Sequence, residues 1–177
     1  MKTKFITIIF LSLFLTNCKK ENKDEIATKE VDVDIFKVEL NLTSTKDDNI
    51  CLLYTEDGSI DFTNGGTVWQ NLKASKAPQK VTFFLPKDVY PTQLRFDFGF
   101  NKDQEDILIS AINFEFNNNK REVIGNEMRL LFRPDDSKCT FDETGLIKPL
   151  IIDGVKQSPS LYPQEENLKV VLEGLVK

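Results

Sequence analysis

Residues 91–116 read PTQLRFDFGFNKDQEDILISAINFEF. Leu94, Phe96, Phe98 and Phe100 alternate with Gln93, Arg95 and Asp97. After a polar connection, Asn101 to Asp106, the period of two resumes at Leu108, Ser110, Ile112, Phe114 and Phe116. Side chains on a strand point to alternate faces, so this period predicts strands with one buried and one wet face. Two such strands around a polar connection predict an antiparallel hairpin at the centre of a sheet.

The flanking sequence repeats the pattern in shorter units. Phe36, Val38, Leu40 and Leu42 alternate with Lys37, Glu39 and Asn41, within a strand-like run from Val31 to Thr45. Asn49–Thr55 and Lys80–Leu85 read as strands, the second stopped by Pro86. Asn64-Gly65 lies between two short alternating arms, 59–63 and 66–69, and predicts a tight hairpin because both residue types tolerate positive φ. Asn71–Gln79 is polar, contains Pro78 and reads as a loop. Asn117-Asn118-Asn119, Gly125-Asn126 and Pro134–Ser137 read as turns. Between and after them, 122–124, 127–132, 139–141 and 146–152 read as short strands. Leu168, Val171, Leu172 and Leu175 follow helical spacing and predict a C-terminal helix over 165–175. Roughly eight to ten short strands with turn signals make the expected fold mainly β, an antiparallel β-sandwich of jelly-roll-like type with that short helix.

The amino terminus gives an address. Lys2 and Lys4 precede an uncharged apolar run, Phe5–Leu15. The run is shorter than the about 20 residues that span a bilayer core, so 1–17 reads as a cleaved signal peptide. Leu15-Thr16-Asn17-Cys18 resembles the lipobox of bacterial lipoproteins, with Asn17 larger than the small residue usual there. The resemblance implies cleavage before Cys18 and lipidation of its sulfur. Two or three acyl chains would anchor the domain stably, since each buried CH₂ contributes roughly 0.8 kcal/mol. Residues 18–30, with Lys19-Lys20-Glu21-Asn22-Lys23-Asp24-Glu25 at their start, read as a charged tether without core formers. The expected location is the outer membrane, on the cell surface or the periplasmic face. Residues 31–177 form the single expected domain.

Composition excludes several activities. The 177-residue chain carries 23 basic and 28 acidic side chains, and loss of Lys2 and Lys4 with the leader makes it more acidic. Nucleic acid is therefore not an expected partner. There is no histidine, which removes Ser-His-Asp and Cys-His catalysis and His-based zinc sites. The acids show no motif for glycoside hydrolysis, and no enzyme activity is expected.

Cys51 and Cys139 are the cysteines after Cys18. They form either a disulfide, worth about 4 to 5 kcal/mol in the chain-entropy model, or two buried free thiols.

Residues 85–99, LPKDVYPTQLRFDFG, followed by 107–116, ILISAINFEF, resemble carbohydrate-binding modules of β-sandwich type. Residues 132–149, FRPDDSKCTFDETGLIKP, and 161–175, LYPQEENLKVVLEGL, are similar to small Gram-negative envelope lipoproteins. The resemblance implies a binding domain, with glycan the candidate ligand. The alternative is a structural or protein-binding component of the envelope.

Trp69 is the only tryptophan, beside Gln70 and Asn71. An exposed indole flanked by amides suits a sugar, offering a flat apolar face and hydrogen bonds to hydroxyls. Tyr54 and Tyr90 are further candidates for ligand contact. Asn101, Asp103 and Glu105 occupy alternate positions like the start of a calcium loop, but Asp106 and Ile112 stand where an EF-hand needs Gly and Glu. No metal site or cofactor is assigned beyond the lipid on Cys18, although fold analogy leaves room for a structural calcium ion at Asp97 or Asp142. Arg95 and Asp97 share a strand face and are expected to pair across to Glu115 or a nearby strand.

Overall fold

A computed structural model describes residues 34–177. The leader, Cys18 and the tether lie outside the described residues. Residues 34–177 form one compact unit.

In chain order the elements are β1 (Lys37–Ser44), β2 (Asp48–Thr55), a 3₁₀ turn (Phe62–Asn64), β3 (Gly66–Leu72) and β4 (Ser75–Phe84). Next come β5 (Gln93–Phe98), β6 (Ile107–Phe116), β7 (Asn119–Ile124), α1 (Asn126–Leu131), β8 (Phe132–Pro134) and β9 (Cys139–Phe141). The last are β10 (Leu146–Pro149), β11 (Ile151–Ile152), β12 (Val155–Lys156), β13 (Ser160–Pro163) and α2 (Glu165–Val176). The protein is mainly β, with two large antiparallel sheets, a separate two-stranded sheet β11-β12 and the short C-terminal helix. One sheet has the order β4-β1-β6-β10-β9, with β7 also on β6; the other runs β3-β2-β5-β13-β8. Most connections pass from one sheet to the other, as in a jelly-roll-like sandwich.

The two apolar faces meet in one core. Val38, Leu40 and Leu42 of β1 share it with Ile50 and Leu52 of β2 and Leu94, Phe96 and Phe98 of β5. Phe96 is fully buried and touches Phe83 across the sandwich (ring centroids 6.2 Å apart) and Phe132 on its own side (5.3 Å). Leu168, Leu172 and Leu175 turn one face of α2 onto this core.

The segment 91–116 forms its two strands, but they are not a hairpin. β5 pairs with β2 and β13, and β6 pairs with β1, β10 and β7 in the opposite sheet. Alternation predicts each strand but not its neighbour, and the connection carries the chain across the sandwich. A bulge opposite Asn41 and Leu42 shifts the phase of β6. Ile107 and Ile109 point inward before it, Ile112, Phe114 and Phe116 after it, and Leu108 is left outside.

Four local expectations also change. The 59–63 arm is not a strand: β2 pairs directly with β3, and the loop between them holds the 3₁₀ turn, capped by the Asp61 carboxylate on the Thr63 N–H (3.0 Å). Residues 71–79 are largely strand, because Pro78 sits on edge strand β4 at an irregularity where no ladder donor is needed. Residues 127–132 are mostly helix. NEMRLL lacks β-branched residues, and Met128 and Leu131 bury at helical spacing. The hairpin β11–β12 around Asp153-Gly154 and strand β13 were not expected.

Candidate functional site

The outer face of the second sheet carries the candidate site. On β3 the period of two exposes Thr67, Trp69 and Asn71 and turns Val68, Gln70 and Leu72 the other way. Trp69 is 53% exposed, and its ring lies 5.3 Å from that of Phe100 at an angle of 44°. Phe100 is 56% exposed. In the register of β2 and β3, Trp69 stands opposite Cys51 and Asn71 opposite Asn49. Asn49 and Asn71 therefore form a cross-strand pair beside Trp69 on the same face. Both are exposed, and among the described residues neither side-chain amide has a hydrogen-bond partner.

Alternation alone would put Phe100 inside with Leu94, Phe96 and Phe98. Gly99 takes φ +76, a backbone conformation L side chains rarely adopt, and ends the alternation there. The Asp48 carboxylate then fixes the path of the chain beyond Gly99. Its Oδ1 accepts from the N–H groups of Asn49 (2.8 Å), Phe100 (2.9 Å) and Asn101 (3.1 Å), and its Oδ2 from Nε2 of buried Gln104 (2.8 Å). Asp48 thus holds Phe100 beside Trp69.

A shallow depression of about 430 Å³ opens next to the pair, lined by Asp47, Asp48, Asn49, Asn71, Lys73 and Phe100 among others. The Ala74 N–H, then the Lys73 ammonium, hold the Asp47 carboxyl below its ordinary value. The face thus offers two aromatic rings, unengaged amides and a shallow open wall.

The other expected contacts do not converge here. Gln70 faces away from Trp69. Tyr54 is buried, its ring laid over cross-strand Gly66, beside a separate depression of about 420 Å³ with Glu56, Asp57 and Asp61. Tyr90 is partly exposed but packs edge-on against Phe116 of the first sheet (5.5 Å, 79°), near the end of α2.

Arg95 pairs with Asp97 on its own strand, not with Glu115: Nε donates to Oδ1 (2.7 Å) and Nη2 to Oδ2 (2.9 Å). The period of two places residues i and i+2 side by side, close enough for this fork. The Arg95 guanidinium also lies over Tyr162 (4.3 Å), which Arg133 covers from β8 (5.3 Å). Glu115 instead takes Lys37 and Lys120, each at 3.2 Å.

Of the two alternatives for the cysteines, the structure has the second: Cys51 and Cys139 are free and buried. Cys51 lies between the core-facing Ile50 and Leu52 and so points outward beside Asp97, whereas Cys139 packs in the core with its thiol on the Ser160 carbonyl (3.5 Å). Asp97 pairs with both Cys51 and Ser160, so two strand spacings of about 4.8 Å separate Cys51 from β13, beyond the reach of a bridge. Burial pushes the Cys51 thiol up to about 11, and raises that of Cys139.

The candidate calcium ligands are engaged elsewhere. Asn101 Oδ1 accepts from the Asp103 N–H, Glu105 from the Thr45 hydroxyl, and Asp142 from Thr144 and the Leu146 N–H. Among the described residues no group of three His, Cys, Asp or Glu is placed to hold a metal ion. No described helix is long and apolar enough to cross a membrane.

Fold and surface define an antiparallel β-sandwich whose outer sheet face carries an exposed aromatic pair beside two free amides that face each other across β2 and β3. No protein-family model, curated protein or solved structure matches the chain. The sequence singled out Trp69 and Asn71 of this candidate site but not Phe100 and Asn49. Gly99, inside an otherwise regular alternation, was the available signal that Phe100 changes face.

Proposed function

We propose that this chain is a lipid-anchored envelope protein whose β-sandwich is a non-catalytic binding domain for neutral glycan. Lipidation at Cys18 is supported by the lipobox-like Leu15–Cys18 and would tether the domain to a membrane, with the outer membrane as the proposed location. The observation that carries the glycan reading is the exposed Trp69–Phe100 pair beside Asn49 and Asn71. A pyranose ring presents an apolar face that stacks on the indole, and its equatorial hydroxyls reach the amides. The acidic balance and the Asp47–Asp48 wall disfavour an anionic sugar.

A binding role also agrees with the carboxylates. Among the described residues, those with displaced titration, Asp47, Asp61, Glu105, Glu115, Asp135 and Asp142, are displaced downward, whereas a glycosidase acid is displaced upward.

Trp69 is the sole tryptophan and therefore a reporter of its own site. Titration of Asp32–Lys177 with a panel of neutral oligosaccharides is expected to change Trp69 emission saturably, with weaker binding in Asn71→Ala. No saturable change across the panel, or an unchanged affinity in Asn71→Ala and Phe100→Ala alike, would sink the reading.

A further inference from the structure

We propose that β3 is a pairing edge, and that its partner is β3 of a second copy of this chain. The unpaired N–H and C=O groups of an edge strand invite another strand, and proteins blunt such edges with charge, proline, bulges or shortness. Four of the edges here are blunted. β4 carries Lys76, Pro78 and Lys80, and β7 carries Lys120, Arg121 and Glu122. β8 and β9 are only three residues long. β3 is different: GTVWQNL has seven residues, no charge and no proline, and its register with β2 runs from Gly66 to Leu72 without a bulge. Among the described residues its backbone pairs with β2 alone.

Self-pairing is consistent with the symmetry of this strand. An antiparallel pair about a two-fold axis sets each residue opposite its mirror position, so a charged central segment would repel itself. β3 has none. Centring on Trp69 uses the whole strand, setting Gly66 against Leu72, Thr67 against Asn71, Val68 against Gln70, and Trp69 against itself. Outward residues then meet outward residues, as a continuous sheet requires. Lys73 is neutralised by Asp47 (3.1 Å), and exposed Lys76 lies beyond the end of β3, whereas Glu56, Asp57 and Asp61 precede it, so antiparallel pairing brings Lys76 of each copy toward the acidic end of the other. The two Trp69–Phe100 pairs would form one aromatic row across the joined sheets. Edge chemistry carries this pairing independently of the sugar reading.

The test is the mass of Asp32–Lys177 in sedimentation equilibrium over a concentration series. The wild type is expected to approach twice the monomer mass. Thr67→Lys with Asn71→Lys sets like charges opposite each other at both crossings and is expected to give a monomer. Thr67→Lys with Asn71→Asp sets opposite charges there and is expected to restore the dimer, which also shows that the lysine at 67 does not unfold the chain. A wild type that stays monomeric at its highest soluble concentration would overturn the proposal. So would a dimer that survives the double lysine variant, or one that the Lys–Asp variant fails to restore.

Discussion

Gly66→Ala is a sharp probe of how β2 and β3 are joined. Gly66 is the cross-strand partner of Tyr54, whose ring occupies the space a side chain would fill. A Cβ at 66 would lie 2.0 Å from Tyr54 Cζ, 2.2 Å from its oxygen and 2.5 Å from Cε1. Carbon atoms rest about 3.5–4.0 Å apart, so the ring must retreat by roughly 1.5–2 Å. Tyr54 is only 8% exposed, so that retreat disturbs its neighbours. Overpacking of this kind costs about 1–3 kcal/mol. For a domain of this size a loss of ~2 kcal/mol lowers Tm by about 4–8 °C. Urea unfolding of wild type, Gly66→Ala, Tyr54→Ala and the double variant measures the coupling. In the Tyr54→Ala background the alanine at 66 is expected to cost less than about 0.5 kcal/mol, because the obstructing ring is gone. An equal cost in both backgrounds, or none in either, would refute the cross-strand packing.

Phe96→Ala removes a fully buried ring at the meeting point of both sheets, and urea unfolding should show a loss of about 3–5 kcal/mol. Native protein should resist thiol labelling at Cys51 and Cys139 and release two reactive thiols on denaturation without reductant; a mass lower by two hydrogens would contradict this. Stability against pH should be flat from neutrality to about pH 5 and fall below about pH 4. The Ser137 hydroxyl lowers the Asp135 carboxyl, and at Glu115 the ammonium groups of Lys37 and Lys120 outweigh the upward pull of burial. Carboxyls depressed in the folded state stabilise above their ordinary values, 3.8 and 4.5 here, and lose that contribution as pH falls through the folded ones. Urea midpoints across this range would check the sign.

The strands were legible wherever one face is wet. β1, β5 and the C-terminal helix follow from spacing, since solvent enforces the period, whereas β2 was legible as a continuous apolar run. Pairing was not legible. β5 and β6 look like a hairpin because both alternate, yet the sheet each joins depends on contacts remote in sequence. The edge position that lets β4 accept Pro78 is likewise a property of the sheet. Trp69 could be singled out by type, but Phe100 and Asn49 join it only through the turn at Gly99 and the register of β2 with β3. Gln70 left the site for the same reason that Asn71 stayed: adjacent strand residues face opposite ways.

The most direct measurement is a broad glycan array probed with Asp32–Lys177 beside Trp69→Ala and Phe100→Ala variants matched for stability. The expected result is binding to neutral glycans that falls by about thirtyfold in Trp69→Ala, a loss of about 2 kcal/mol for a central aromatic contact, with a smaller fall in Phe100→Ala. No binding by the wild type, or binding unchanged in both variants, would contradict the account of this face as a sugar platform.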